Sequence, residues 1–125
     1  MSGSDSLKSS EEQASKAQEE QAALEEALFS IISHAGNARA KAYEALDLIA
    51  ESKYDEAWSK IEEAHDEITE AHRAHADLIR KEASGERIPA SVLLMHSLDI
   101  LMAAISESDL VERLISIFEA KEKKV

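Results

Sequence analysis

The chain has 125 residues, of which 44% are hydrophobic and 4% aromatic, and its formal net charge is −12. That length suits one domain, and a single proline and three glycines leave room for only a few long elements. The absence of cysteine excludes disulfide bonds and zinc–thiolate sites, and the acidic charge argues against direct nucleic-acid binding, which needs a basic patch.

The sequence opens with a polar segment that has little to bury. Residues 1–8 resemble an expression leader, so we expect them to be disordered. Ser9 and Glu12 have the spacing of a capping box, which predicts a helix start near Ser9. Residues 9–23 favour a helix by propensity but offer little apolar surface, and we expect them to form a polar helical extension. The folded domain is assigned to residues 24–125.

Apolar residues at helical spacing predict two amphipathic helices in the first part of this domain. The first covers about residues 24–52, and we interpret Gly36 inside it as a point where another helix packs closely. A short connection follows, with Asp55 as the expected N-cap. The second helix covers about residues 58–83, and Gly85 is expected to end it.

The third predicted helix carries the most apolar stretch of the chain, residues 92–105. Pro89 fits its first turn, and the pattern continues to about Lys121. Because this stretch is apolar nearly all round, we expect further copies of the chain to cover it around a symmetry axis. The stretch is too short to span a membrane and contains His96 and Asp99, so we expect a cytoplasmic protein without membrane insertion. The sequence thus predicts an all-α fold, an antiparallel three-helix bundle that forms a homo-oligomer.

His96 and Asp99 are the candidate functional groups of this stretch. They are three residues apart, so they share a helix face, and each costs stability in apolar surroundings without a partner. His96 taken alone fits a core or interface histidine that is hydrogen-bonded to a neighbour. For Asp99, carboxylates that converge on a symmetry axis need either a shared metal ion or raised pKa values. Both interpretations of Asp99 stay open from the residues alone.

The remaining histidines give weaker signals. Glu62-x-x-His65 matches half of a carboxylate-bridged di-metal signature, but the second half is missing, and we interpret the match as chance. His72 and His75 are three residues apart and could share a helix face as ligands. Because His75 lies on the apolar stripe of the second helix, a packed and hydrogen-bonded histidine is the simpler interpretation.

Four blocks of the sequence match one known family in order and spacing. They are Ala35-Gly-Asn-Ala-Arg39 with Glu44-Ala-Leu46, Glu70-Ala-His72, Ala83-Ser-Gly-Glu86, and Leu94-Met-His-Ser-Leu-Asp-Ile-Leu-Met102. With these blocks, residues 28–121 resemble the lactose/cellobiose-type enzyme IIA of the bacterial sugar phosphotransferase system.

The resemblance implies a homotrimer of three-helix subunits that acts as a phosphoryl carrier in sugar uptake. It makes His96 the acceptor, which takes the phosphoryl group from the carrier protein HPr and passes it to a cysteine of enzyme IIB. It also implies a divalent metal ion, expected to be magnesium, which Asp99 binds on the trimer axis. The implied partners are HPr, enzyme IIB and further copies of the chain.

The chain departs from the family motif, His-x-Gln-Asp-His-Leu-Met, at polar positions. Leu98 and Ile100 stand where the family has the glutamine and the second histidine, and Ala103 replaces a threonine or serine. A Gln-Thr pair of the second helix is His75-Ala76 here. Loss of such polar neighbours commonly weakens metal affinity or activity by roughly 10- to 100-fold. The alternative function is therefore a catalytically degenerate, or engineered, trimeric scaffold on the same fold. The sequence does not identify the sugar.

Overall fold

The computed structural model describes residues 3–124 and contains three α-helices. They are α1 (Gly3–Ala50), α2 (Tyr54–Ala83) and α3 (Val92–Lys123). No β-strand occurs between residues 3 and 124, so the prediction of an all-α, three-helix bundle is confirmed. Residues 51–53 and 84–91 connect the helices, and none of the described helices is long and apolar enough to cross a membrane.

Helix α1 begins earlier than the capping box predicted. We expected residues 1–8 to be a disordered leader. Residues 3–8 are instead helical and continue directly into the segment 9–23, and residues 1 and 2 lie outside the described part of the chain. No proline or glycine interrupts the sequence between Ser4 and Ala35, so helix propensity carries the helix back to Gly3. All described residues before Leu24 are exposed, as expected for a segment without an apolar face.

Helix α2 is bounded by backbone hydrogen bonds. Its N-cap is Lys53, which makes no side-chain capping bond, so the prediction that Asp55 is the N-cap was wrong. Asp55 lies instead in the first turn, where a negative charge favours the helix dipole. The stop at Gly85 is confirmed: its φ is +102°, and the N–H of Glu86 donates to the carbonyl of Lys81 at 3.0 Å.

The start of α3 lies later than Pro89 suggested. Ser91 is the N-cap, in extended conformation, and its side-chain oxygen accepts the N–H of Leu94 at 3.0 Å. Placing Pro89 in the first turn was therefore wrong, because a side chain able to cap the helix follows two residues later. As α3 begins at Val92, His96 is its fifth residue.

The core is built around small residues of α1 that let the other helices approach. Ala35, Ala38, Ala42 and Ala45 are all 0% exposed. The larger side chains that fill the space between the helices are Leu28, Ile31, Ile61, Leu101 and Ile115. Burying a side chain of this size stabilises the fold by about 1.5–3 kcal/mol.

Two serines lie in the otherwise apolar interior of the bundle. Ser97 and Ser108 of α3 are fully buried. The Ser97 hydroxyl donates to the carbonyl of Leu94 at 2.7 Å, whereas the Ser108 hydroxyl has no partner within the described chain.

Gly36 of α1 is only partly buried, and a Cβ placed there would meet nothing within 4 Å. The interpretation of Gly36 as a point of close packing was therefore wrong.

Candidate functional site

The two candidate residues lie at the beginning of α3 and point away from the core of the single chain. His96 and Asp99 are both exposed. Neither makes a hydrogen bond or an ion pair with any residue between 3 and 124. His96 is thus no core histidine of the subunit, and its imidazole is open to a partner protein. Asp99 likewise keeps both carboxylate oxygens free for contacts made outside the single chain.

The first turn of α3 supplies hydrogen-bond donors close to His96. The N–H groups of Leu94 and Met95 are taken by the side chain and the carbonyl of Ser91. Helix geometry leaves the N–H groups of Val92 and Leu93 without an intrahelical acceptor. Side chains on a helix lean toward its N-terminus, so a group carried by His96 lies over this turn. The free donors and the helix dipole favour a negative charge there.

A stripe of exposed apolar side chains follows α3 on the side opposite the core. The α3 stripe consists of Val92, Met95, Met102, Leu110 and Ile117, which are 81%, 59%, 49%, 59% and 49% exposed. Asp99 lies on the same face, between Met95 and Met102. A row of large, exposed apolar side chains on one helix face favours an interaction site there. The carboxylate of Asp99 therefore belongs to the same face as that surface.

The positions that depart from the family motif are all partly buried. Ile100 lies four residues after His96 on the same side of α3 and packs against the core. Leu98 is two residues from His96 and therefore lies on a different face. Ala103, His75 and Ala76 are partly buried as well. Ile100 is thus the replacement next to the imidazole.

An ion pair between α1 and α3 holds the middle of α3 in place, and the sequence analysis missed it. Arg39 donates from Nε and Nη2 to the two carboxylate oxygens of Glu107, at 2.8 and 3.0 Å. Hydrogen bonds from Arg39 and Tyr43 lower the pKa of the Glu107 carboxyl, and the pair raises the pKa of Arg39. Arg39 belongs to the first matching sequence block, which gives that block a structural role.

His34, His72 and His75 make different contacts. His34 Nδ1 lies 2.6 Å from Glu67 Oε2, which links α1 to α2. The rings of His72 and His75 are 6.4 Å apart and inclined by 43°, with His72 exposed and His75 partly buried. No carboxylate or further histidine within the described chain joins these two rings in a potential metal-binding group.

Comparison with known proteins identifies similar chains. The family described as "PTS system, Lactose/Cellobiose specific IIA subunit" matches residues 26–119. The lactose-specific EIIA component of Streptococcus mutans is 42% identical over 91 residues, which are 73% of this chain and 88% of that protein. The oligo-beta-mannoside-specific EIIA component of Bacillus subtilis is 38% identical over 97 residues, which are 78% of this chain and 88% of that protein.

A solved structure has the same fold. The crystal structure of the cellobiose-specific enzyme IIA from Bacillus anthracis gives a TM-score of 0.78 at 38% identity, covering 82% of this chain and 94% of that chain. These matches confirm the resemblance seen in the four sequence blocks. His96 and Asp99 both lie within residues 26–119, whereas the first part of α1 lies outside that range.

Proposed function

The chain belongs to the lactose/cellobiose-specific IIA subunits of the sugar phosphotransferase system, and from this premise we propose that it carries the phosphoryl group on His96. The donor in this proposal is phospho-HPr, the acceptor is a cysteine of enzyme IIB, and the exchange takes place in the cytoplasm. The specificities named for the relatives are lactose, cellobiose and oligo-beta-mannoside. We therefore propose an oligosaccharide as the transported sugar.

Transfer of the phosphoryl group needs one nucleophilic nitrogen and few other reacting groups of the protein. A ring nitrogen of His96 bonds to phosphorus while the nitrogen–phosphorus bond of phospho-HPr breaks, and the departing imidazole takes the electron pair. The cysteine thiolate of enzyme IIB then attacks the same phosphorus, and the bond to His96 breaks. A neutral imidazole is a competent acceptor near neutral pH, and such transfers depend mainly on positioning and charge stabilisation.

The observation that carries the proposal is the place of His96 in α3. It is exposed, has no partner between residues 3 and 124, and is the fifth residue after a capped helix start. The unpaired N–H groups of the first turn can receive a phosphoryl oxygen. A solvent-accessible acceptor with donors beside it suits a group that is received from one protein and given to another.

The α3 stripe supports assembly into a homotrimer. Burying its five side chains against two further copies removes apolar surface from water, which the single chain leaves exposed. Such an arrangement places α3 innermost and brings three copies of Asp99 toward one axis. We propose the trimer as the working form of the protein.

Asp99 also fits the metal ion that the family implies. It offers a free carboxylate between the exposed Met95 and Met102, and three such groups around an axis give the oxygen ligands that Mg²⁺ prefers. The ion would offset two of the three negative charges and thereby help to hold the subunits together. The reacting nitrogen of His96 needs no direct contact with it.

The alternative is a trimeric scaffold without phosphoryl transfer, and the observation that favours it is Ile100. This apolar side chain stands one turn after His96, where the family motif has a histidine. Without a polar neighbour on that side, the phosphoryl group depends on the helix start alone. The two functions share the fold and the stripe, and they differ in whether His96 accepts phosphate.

Labelling with phosphate separates the two functions. The chain is incubated with enzyme I, HPr and radiolabelled phosphoenolpyruvate, and the label on the chain is measured. We expect label on the original protein, none on His96→Ala, and unchanged labelling of the control His65→Gln, whose histidine lies on α2. Absence of label on the original protein would favour the scaffold, and label that persists in His96→Ala would exclude His96 as the acceptor.

A further inference from the structure

Three metal-ligating side chains meet between α2 and α3, away from His96. His65 of α2 faces Asp109 and Glu112 of α3, and one ligand atom from each lies within 4.8 Å of the other two. His65 and Glu112 are partly buried, whereas Asp109 is exposed. Asp109 is thirteen residues after His96, which is about 20 Å along the helix. This cluster is therefore separate from the proposed phosphoryl site.

The distance between His65 and Glu112 suits two ligands of one ion. His65 Nε2 lies 3.5 Å from Glu112 Oε2, whereas a direct charge-assisted hydrogen bond is about 2.7–2.9 Å long. Two ligand atoms that bind one metal ion at about 2.1 Å are about 3.0–3.5 Å apart in octahedral or tetrahedral geometry. The pair needs almost no movement to bind an ion. Asp109 closes the remaining gap by a side-chain rotation, since it is exposed.

The charges of the cluster also favour a cation. Asp109 and Glu112 are three residues apart on one helix face, where like charges repel. Neither of them pairs with a lysine or an arginine between residues 3 and 124. By contrast, the neighbouring acid Glu107 is neutralised by Arg39. Arg113 is one helix turn after Asp109, but it forms no ion pair with either carboxylate, so both keep oxygen atoms available to a cation.

We propose that His65, Asp109 and Glu112 bind a divalent transition-metal ion, of which Zn²⁺ is the representative, and that this ion ties α2 to α3. One imidazole with two carboxylates suits zinc, manganese or cobalt better than magnesium or calcium, which prefer oxygen ligands alone. Three protein ligands leave a position for water. The cross-link joins the two helices that have the smallest interface in the bundle.

The first measurement is the binding of Zn²⁺ to the full chain after treatment with a chelator. We expect calorimetric titration to give one ion per chain at this site, and we expect Zn²⁺ to raise the melting temperature. His65→Gln and Glu112→Gln should each weaken binding at least tenfold and abolish the rise in melting temperature. Equal circular dichroism of the variants shows that the bundle is intact.

Two control variants separate this site from other ligands. His72→Gln removes one of the two neighbouring rings on α2, and Asp99→Asn removes the proposed axial ligand; neither should change the Zn²⁺ ion that is counted once per chain, since an ion on the trimer axis is counted once per three chains. The proposal does not depend on phosphoryl transfer, which His65→Gln leaves unchanged. It is overturned if the chain binds no Zn²⁺, if His65→Gln binds the ion counted once per chain as tightly as the original protein does, or if either control loses that ion.

Discussion

Replacing Met102 by glutamate should break the proposed trimer. Met102 lies one turn after Asp99 on the α3 stripe and is 49% exposed in the single chain. Burying a whole methionine contributes about 1.5–3 kcal/mol, so covering its exposed half contributes about 1 kcal/mol per copy and about 3 kcal/mol per trimer. Since 1.4 kcal/mol is a tenfold change in an equilibrium constant, this loss alone weakens assembly about a hundredfold. Met102→Ala measures that loss without adding a charge.

The charge in Met102→Glu adds a second and larger penalty. Three new carboxylates approach three copies of Asp99 in apolar surroundings, and each buried, uncompensated charge costs several kcal/mol. We expect the original protein to be trimeric by size-exclusion chromatography with light scattering, Met102→Ala to dissociate on dilution, and Met102→Glu to be monomeric. Leu7→Glu is the control, because Leu7 is 67% exposed but lies outside the stripe. A monomeric original protein, or a trimeric Met102→Glu, would refute the reasoning.

Three further outcomes follow from single residues. Ser108→Ala removes a buried hydroxyl that has no partner among residues 3–124, so urea denaturation should show a free energy of unfolding about 1 kcal/mol higher; an unchanged or lower value contradicts this. Arg39 lowers the pKa of Glu107, so the stability that this carboxylate contributes is present above its ordinary pKa of 4.5 and is lost as the pH falls through the lowered value. Glu107→Gln should therefore lose less stability than the original protein on acidification below pH 4.5, which urea curves at several pH values would reveal. Ile100→His restores an imidazole one turn after His96 and should speed labelling from phospho-HPr roughly tenfold; a slower or equal rate would mean that the helix start suffices.

Periodicity predicted the number and order of the helices, but it located their ends less well. Pro89 and Ser91 are both start signals, and the choice between them depends on whether the Ser91 oxygen reaches the N–H of Leu94. Asp55 failed as an N-cap because the tight turn places Lys53 at that position. Local side-chain geometry decides such boundaries, and the residue types alone do not contain it.

The sequence was enough to predict which residues form the candidate site, but it did not show which residues of other helices contact α3. His96 and Asp99 are conspicuous in the sequence because ionisable groups are rare in an apolar stretch. The pairing of Arg39 with Glu107 joins residues 68 positions apart, and it depends on how α1 and α3 are rotated against each other. The same holds for His65, whose partners on α3 cannot be read from its own helix. Contacts between helices therefore required the three-dimensional structure.

The first part of α1 continues beyond the residues that pack in the bundle. Residues 17–24 line a cleft together with residues 86–89 of the connection that leads to His96. The preceding residues 3–16 rise about 20 Å farther along the same helix axis. With neither glycine nor proline from Ser4 to Ala35, the sequence offers no glycine or proline at which this part of the helix would kink. A protein that binds residues 3–16 would therefore lie in a defined direction from His96. A force on this segment would pass along α1 to the buried Ala35, Ala38, Ala42 and Ala45.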